Sequence, residues 1–145
     1  ADVPKILLEN GANVNDKDEA GYAPLHWSAR RGHADASKVL LENGANVNEK
    51  DENGFTPLLW SAQYGHADVS KVLLENGANV NEKDGYGDTA LHWSAIKGHT
   101  AISKILSSMK QTLTRKMHVI ALLFIGVLRM DMLTYQSYFS RMEQT

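Results

Sequence analysis

Apolar residues recur along most of this chain at helical spacing, in blocks of constant size. Val69, Val72 and Leu73 stand at i, i+3 and i+4, and the spacing returns in Ala36/Val39/Leu40, Ile102/Ile105/Leu106 and Val3/Ile6/Leu7. Each segment is therefore predicted to be a helix with one apolar face. A shorter stripe, Leu58 and Ala62, precedes the Val69 segment. Thr56 is placed to cap that shorter helix, Pro57 to take its first position with φ already set, and Gly65 to close it in the left-handed conformation. Asn10-Gly11, Asn43-Gly44 and Asn76-Gly77 each follow a run of helical periodicity. Between strands such a pair would suggest a type I′ hairpin; here it reads as a helix end with glycine just past the cap. The polar stretch "NEKDENG" (48–54) is then the hairpin joining one helix pair to the next. The pattern predicts helix pairs at about 24–43, 57–76 and 90–109, preceded by the second helix of another pair.

These blocks are a tandem repeat. "LLENGANVN" occurs three times at intervals of 33 residues, and on the same period "PLHWSARRGH" at 24 becomes "PLLWSAQYGH" at 57 and "ALHWSAIKGH" at 90. A 33-residue period with a P-L-H-x-A core resembles the ankyrin repeat, a β-turn followed by two antiparallel helices. Several columns carry the resemblance over residues 1–106: Gly21/Gly54/Gly87, Pro24/Pro57, Leu25/Leu58/Leu91, and Gly32-His33/Gly65-His66/Gly98-His99. Ala23, Leu59 and Ala90 depart from its usual threonine, histidine and proline, and Ser37, Ser70 and Ser103 replace a branched apolar residue. The resemblance implies an all-α ankyrin-type helical solenoid with hairpin loops. It divides the chain into a partial repeat 1–17 (second helix and hairpin only), repeats 18–50, 51–83 and 84–110, and a non-repeat segment 111–145, expected to be helical. No single repeat buries its stripe alone, so the leading half repeat is expected to be the remnant of a longer array.

Composition separates the same regions. Up to Leu106 there are 15 acidic and 10 basic residues, and from Ser107 onward 2 and 5; all five methionines lie in the second part. The overall charge of −2 does not suggest a nucleic-acid binder. Cysteine is absent, which excludes disulfides and thiolate metal sites. No secretion signal is visible, and a cytoplasmic or nuclear setting is expected. After Leu106 the repeat pattern fails, with Lys110 where the C-terminal glycine should stand. "VIALLFIGVL" (119–128) is apolar throughout but as a helix would extend only about 15 Å, half a bilayer core. Three readings stay open for residues 107–145: a helix folded onto the last repeat, a membrane-surface or partner-docking segment aided by Arg115, Lys116 and Arg129, or non-native sequence.

The cluster of His26, Trp27, Ser28 and His33 raises the question of chemistry. A catalytic constellation has no reason to occur three times in tandem, and no G-x-S-x-G elbow surrounds Ser28, Ser61 or Ser94. Histidines in stacked columns would lie about 8–10 Å apart, too far to share a zinc ion at about 2.0–2.1 Å. The ankyrin resemblance instead implies that His26, His33, His66, His92 and His99 tie neighbouring repeats by hydrogen bonds. We expect no catalytic residues, cofactor, metal or small-molecule substrate.

Trp27, Trp60 and Trp93 differ from these. At 100° per residue Trp27 points about 200° from Leu25 and close to Arg30 and Arg31. Beside the tryptophans stand Arg30-Arg31, Gln63-Tyr64 and Ile96-Lys97, which change from copy to copy. In ankyrin-like arrays this is the concave partner-binding face, together with hairpin tips carrying Tyr22, Phe55 and Tyr86. Tryptophan, tyrosine and arginine dominate interface hot spots; the other reading is that the tryptophans pack between repeats. The acidic hairpin residues Asp16, Asp18, Glu19, Glu49, Asp51, Glu52, Glu82 and Asp84 are expected to form a solvated edge. The expected function is a monomeric, non-catalytic module binding a protein partner. The alternatives are a membrane-associated adaptor using 119–128 and the substrate-recruiting fragment of a larger enzyme.

Overall fold

A computed structural model describes residues 6, 8–128 and 132–144. The helices in order are α1 (Pro24–Arg31), α2 (Ala34–Glu42), α3 (Pro57–Tyr64), α4 (Ala67–Glu75), α5 (Ala90–Ile96), α6 (Thr100–Leu128) and α7 (Met132–Glu143). No strand occurs among the described residues. The chain divides into two compact units, Ala1–Ser108 and Met109–Thr145.

In the first unit the local signals act as their chemistry demands. Thr56 Oγ1 accepts the Leu59 N–H at 3.3 Å, Pro57 opens α3, and Gly65 closes it at φ 80°. Gly44 and Gly77 follow α2 and α4 at φ 89° and 88°. α1 packs on α2 and α3, α2 on α4, and α3 on α4 and α5. Leu25, Leu58, Leu73, Val69, Ile102 and Leu106 are fully buried between these layers. Full burial of one such side chain stabilises by about 1.5–3 kcal/mol.

Each pair also holds a polar bond in its core. Ser28 meets Ser37 at 2.9 Å, Ser61 meets Ser70 at 2.8 Å and Ser94 meets Ser103 at 2.8 Å. Each hydroxyl also has a carbonyl within reach, Leu58 O for Ser61 and His66 O for Ser70, so one serine of the pair donates to its carbonyl and accepts the proton of the other. Serine therefore replaces the branched apolar residue without leaving a buried polar group unpaired.

The loops close without strands. The Asp51 N–H donates to Phe55 O at 3.0 Å and the Gly54 N–H to Asp51 O at 3.0 Å, and the loops at Asp18 and Asp84 repeat the pattern. Successive loops are laced by asparagine: Asn15 Nδ2 donates to Gly44 O, and the Asn46 N–H donates to Asn15 Oδ1. Lys17 pairs with Glu49, and Lys50 with Glu82 at 2.7 Å.

One expectation changes. The helix expected to stop near 109 continues as α6 to Leu128, because Lys110 supplies no left-handed stop and helix-compatible residues follow it. At the other end Ile6, in the half repeat that lacks its partner helix, is helical and 52% exposed, while Val3 and Leu7 lie outside the described residues.

In the second unit, α7 and the part of α6 after Ser108 carry many exposed apolar side chains, among them Met117, Ile120, Leu123 and Leu133.

Candidate partner-binding surface

The tryptophan column is anchored by the hairpins. The indole Nε1 of Trp27 donates to Asp18 Oδ2 at 2.9 Å, that of Trp60 to Asp51 Oδ2 at 2.9 Å and that of Trp93 to Asp84 Oδ2 at 2.7 Å. The other carboxylate oxygen holds the loop: Asp51 Oδ1 accepts the N–H groups of Asn53 and Phe55, and Asp84 Oδ1 those of Tyr86 and Asp88. Each aspartate thus ties a loop tip to the helix nine residues later. Asp51 and Asp84 are 7% exposed, which corrects their assignment to a solvated edge; their negative charge is met by three N–H donors each rather than by water. Asp18 makes the same contacts, and its carboxyl is held below the usual aspartate range, chiefly by the Tyr22 N–H and also by the Trp27 indole. The constant nine-residue Asp-to-Trp spacing was the sequence signal for this.

The rings interleave. Tyr22 lies 5.1 Å from Trp27 and 5.7 Å from Trp60, and Phe55 lies 4.7 Å from Trp60 and 5.7 Å from Trp93, centroid to centroid. A loop ring from one repeat therefore wedges between its own tryptophan and the next. In the third copy Asp88 occupies that column and the ladder ends at Trp93.

This geometry sorts the residues chosen from sequence. Trp60 and Phe55 are buried, at 8% and 5% exposed, because neighbouring rings cover both faces, and little of either side chain is left open to solvent. Trp27, Trp93, Tyr22, Gln63 and Arg30 are half-buried. Arg31 and Lys97 are exposed, as are Tyr64 (45%), Ile96 (66%) and Tyr86 (79%). Arg30 brings several together: its guanidinium carbon sits 5.6 Å from the Trp27 ring, 5.2 Å from Trp60 and 5.5 Å from Tyr64. Arg31 sits 5.6 Å from Trp27. Such contacts contribute about 0.5–2 kcal/mol each and fix the side chains in place. Gln63 Oε1, in the middle copy, is buried with no hydrogen-bond partner among the described residues. Trp27 and Arg31 also line a groove of about 580 Å³ with Leu8, Val14, His33 and Leu40.

The histidines stitch the repeats. His26 Nδ1 accepts the Ala23 N–H at 3.0 Å, which leaves Nε2–H to donate to Glu49 O at 2.9 Å, at the end of its own repeat, and to Phe55 O at 3.1 Å in the next. His66 Nε2 reaches back to Arg30 O at 3.0 Å and His99 Nε2 to Gln63 O at 3.1 Å. Burial, the largest influence, pushes the His26 pKa down, since a charged imidazole there would lose its hydration. His33 is exposed at its end of the stack, and His92, also exposed, holds the Thr89 N–H through Nδ1 at 3.0 Å.

The family model described as Ankyrin repeats (3 copies) matches residues 1–84 and 45–117. No curated protein matches the chain. Ankyrin repeats are generally protein–protein interaction modules. With its repeat period, stacked helix pairs and family match over most of its length, the chain belongs to the ankyrin repeat family.

Proposed function

We propose that the array binds a protein partner through Arg31, Tyr64, Ile96, Lys97 and Tyr86. Arg30, Trp27, Gln63, Trp93 and Tyr22 contribute their accessible edges. Trp60 and Phe55 support the surface from beneath. The observation that carries this reading is the pinning of Arg30 against Trp27, Trp60 and Tyr64, beside a tyrosine that is 45% exposed. At Arg30, Arg31 and Tyr64 a partner would meet side chains already held against rings, so little conformational entropy is lost there on binding. The changing pairs Arg30-Arg31, Gln63-Tyr64 and Ile96-Lys97 give the face a basic, a polar-aromatic and an apolar-basic section in turn. That order suits an elongated partner segment read repeat by repeat.

The test is affinity capture with the full chain beside its Arg31→Ala and Tyr64→Ala variants. Proteins held by the wild type should be lost by both variants while each variant still melts cooperatively, its midpoint lowered by no more than roughly 10 °C. With a purified partner the loss should reach about 2 kcal/mol, the size of a hot spot. Equal retention by wild type and both variants places the interface elsewhere.

A further inference from the structure

The apolar run of α6 is left unexplained by the array. Within the second unit Leu113 (41%), Met117 (50%), Val119 (55%), Ile120 (59%), Leu122 (41%) and Leu123 (67%) are all exposed. At 100° per residue they cover an arc of roughly 220° around the helix. Leu113, Met117 and Ile120 form one seam with the 4 and 3 spacing that a second helix would cover. Val119, Leu122 and Leu123 fall outside that seam, so a single helix partner leaves half of the apolar surface in water.

The charges define the occupant further. From Thr100 to Leu128 the chain contains no aspartate or glutamate, whereas Lys110, Arg115 and Lys116 precede the apolar run. Arg115 and Lys116 are exposed and line a shallow depression with Thr112, Val119 and Ile120. Lys116, Val119, Ile120 and Leu123 stand at i, i+3, i+4 and i+7, so cation and apolar residues share one face. The partner must offer anionic groups next to a broad apolar medium. Acidic loops such as those of the array supply the first without the second. Among the described residues no helix is long and apolar enough to cross a membrane, so the helix would lie in the interface and not span the bilayer.

We infer that the α6 segment from Lys110 to Leu123 docks on an anionic lipid bilayer, with Leu113, Met117, Val119, Ile120 and Leu123 entering the boundary between headgroups and acyl chains. Lys110, Arg115 and Lys116 remain at headgroup level, their methylene stems lying along the apolar zone. This surface shares no residue with the one proposed for the protein partner.

The test is co-sedimentation of the full chain with phosphatidylcholine vesicles containing about a third phosphatidylserine, beside pure phosphatidylcholine vesicles. Binding should favour the anionic vesicles at least tenfold and weaken as salt is raised. Each cation near such a surface contributes about a fivefold gain, so Arg115→Gln with Lys116→Gln should weaken binding roughly 25-fold. Leu123→Asp should abolish it while circular dichroism stays unchanged. Absence of binding overturns the proposal, and so does equal binding to neutral vesicles. Light scattering without vesicles supplies the remaining outcome: a dimer dispersed by Leu123→Asp, together with no vesicle binding, assigns the face to a second copy and overturns it as well.

Discussion

The middle repeat and the last repeat carry nearly the same words, "LWSAQYGH" and "HWSAIKGH", and experience different surroundings. Trp60 is 8% exposed, between Tyr22 and Phe55, whereas Trp93 has Phe55 beside it and stays half-buried. A methyl group added to Gly65 would lie 2.7 Å from the His99 ring; one added to Gly98 would meet nothing within 4 Å. Nearly the same helix sequence thus has unequal energetic weight: Trp60 has Phe55 from its own loop and Tyr22 from the preceding one, Trp93 has Asp88 where its own loop ring would stand, and Gly65 has a following histidine against it where Gly98 has none.

The largest test of that contrast is at the tryptophans. Trp60→Ala should destabilise the array by about 3–5 kcal/mol, since it removes a buried indole and leaves Asp51 Oδ2 without its donor. Trp93→Ala should cost no more than roughly half as much, its ring being partly solvated already. Denaturant titrations followed by circular dichroism measure both, and equal losses would break the comparison.

The glycines sharpen it. Gly65→Ala must hold a left-handed conformation, at about 1–2 kcal/mol, and also push His99 off Gln63 O, for about 1 kcal/mol more. Gly98→Ala should show the first cost alone. If the midpoints of the two variants shift together, the histidine stitch contributes nothing measurable.

The smallest effect is a pH dependence. His26 is buried and its pKa lies below 6.5, the ordinary histidine value. The unfolded chain therefore takes up this proton more readily than the folded one. The stabilisation is complete above pH 6.5 and declines as pH falls from there through the lower folded value. The middle repeat shows the replacement that removes it, Leu59 in the same column, buried at 1%. His26→Leu should lower stability at pH 8 through its lost hydrogen bonds, yet show a shallower decline from pH 6.5 to 5. Parallel stability curves for wild type and variant would exclude His26 as the source.

Much of the scaffold was readable beforehand. The helical faces, the glycine stops at 32, 44, 65 and 77, the Thr56 cap and the inter-repeat use of His26, His66 and His99 follow from periodicity, backbone conformation and the ankyrin resemblance. The surface was less readable. The angle of Trp60 on its helix pointed correctly away from Leu58, but an angle does not say what lies opposite, and there Tyr22, Phe55 and Arg30 close over it. Asp51 was likewise legible as an acid in a polar loop and illegible as the acceptor for Trp60. The serine pairs were legible only as departures from a pattern, because each member makes sense only with its partner nine residues away.

By itself the sequence determined the repeat, the helices and their ends, since spacing, capping hydroxyls, proline and left-handed glycine act within one turn of the chain. Only the tertiary structure decided which copies of a repeated residue are core and which are surface. Trp27 and Trp60 each have a loop ring five residues before them, yet Trp60 alone of the two is buried, because Tyr22 of the preceding repeat also covers it, and local sequence carries no record of that neighbour.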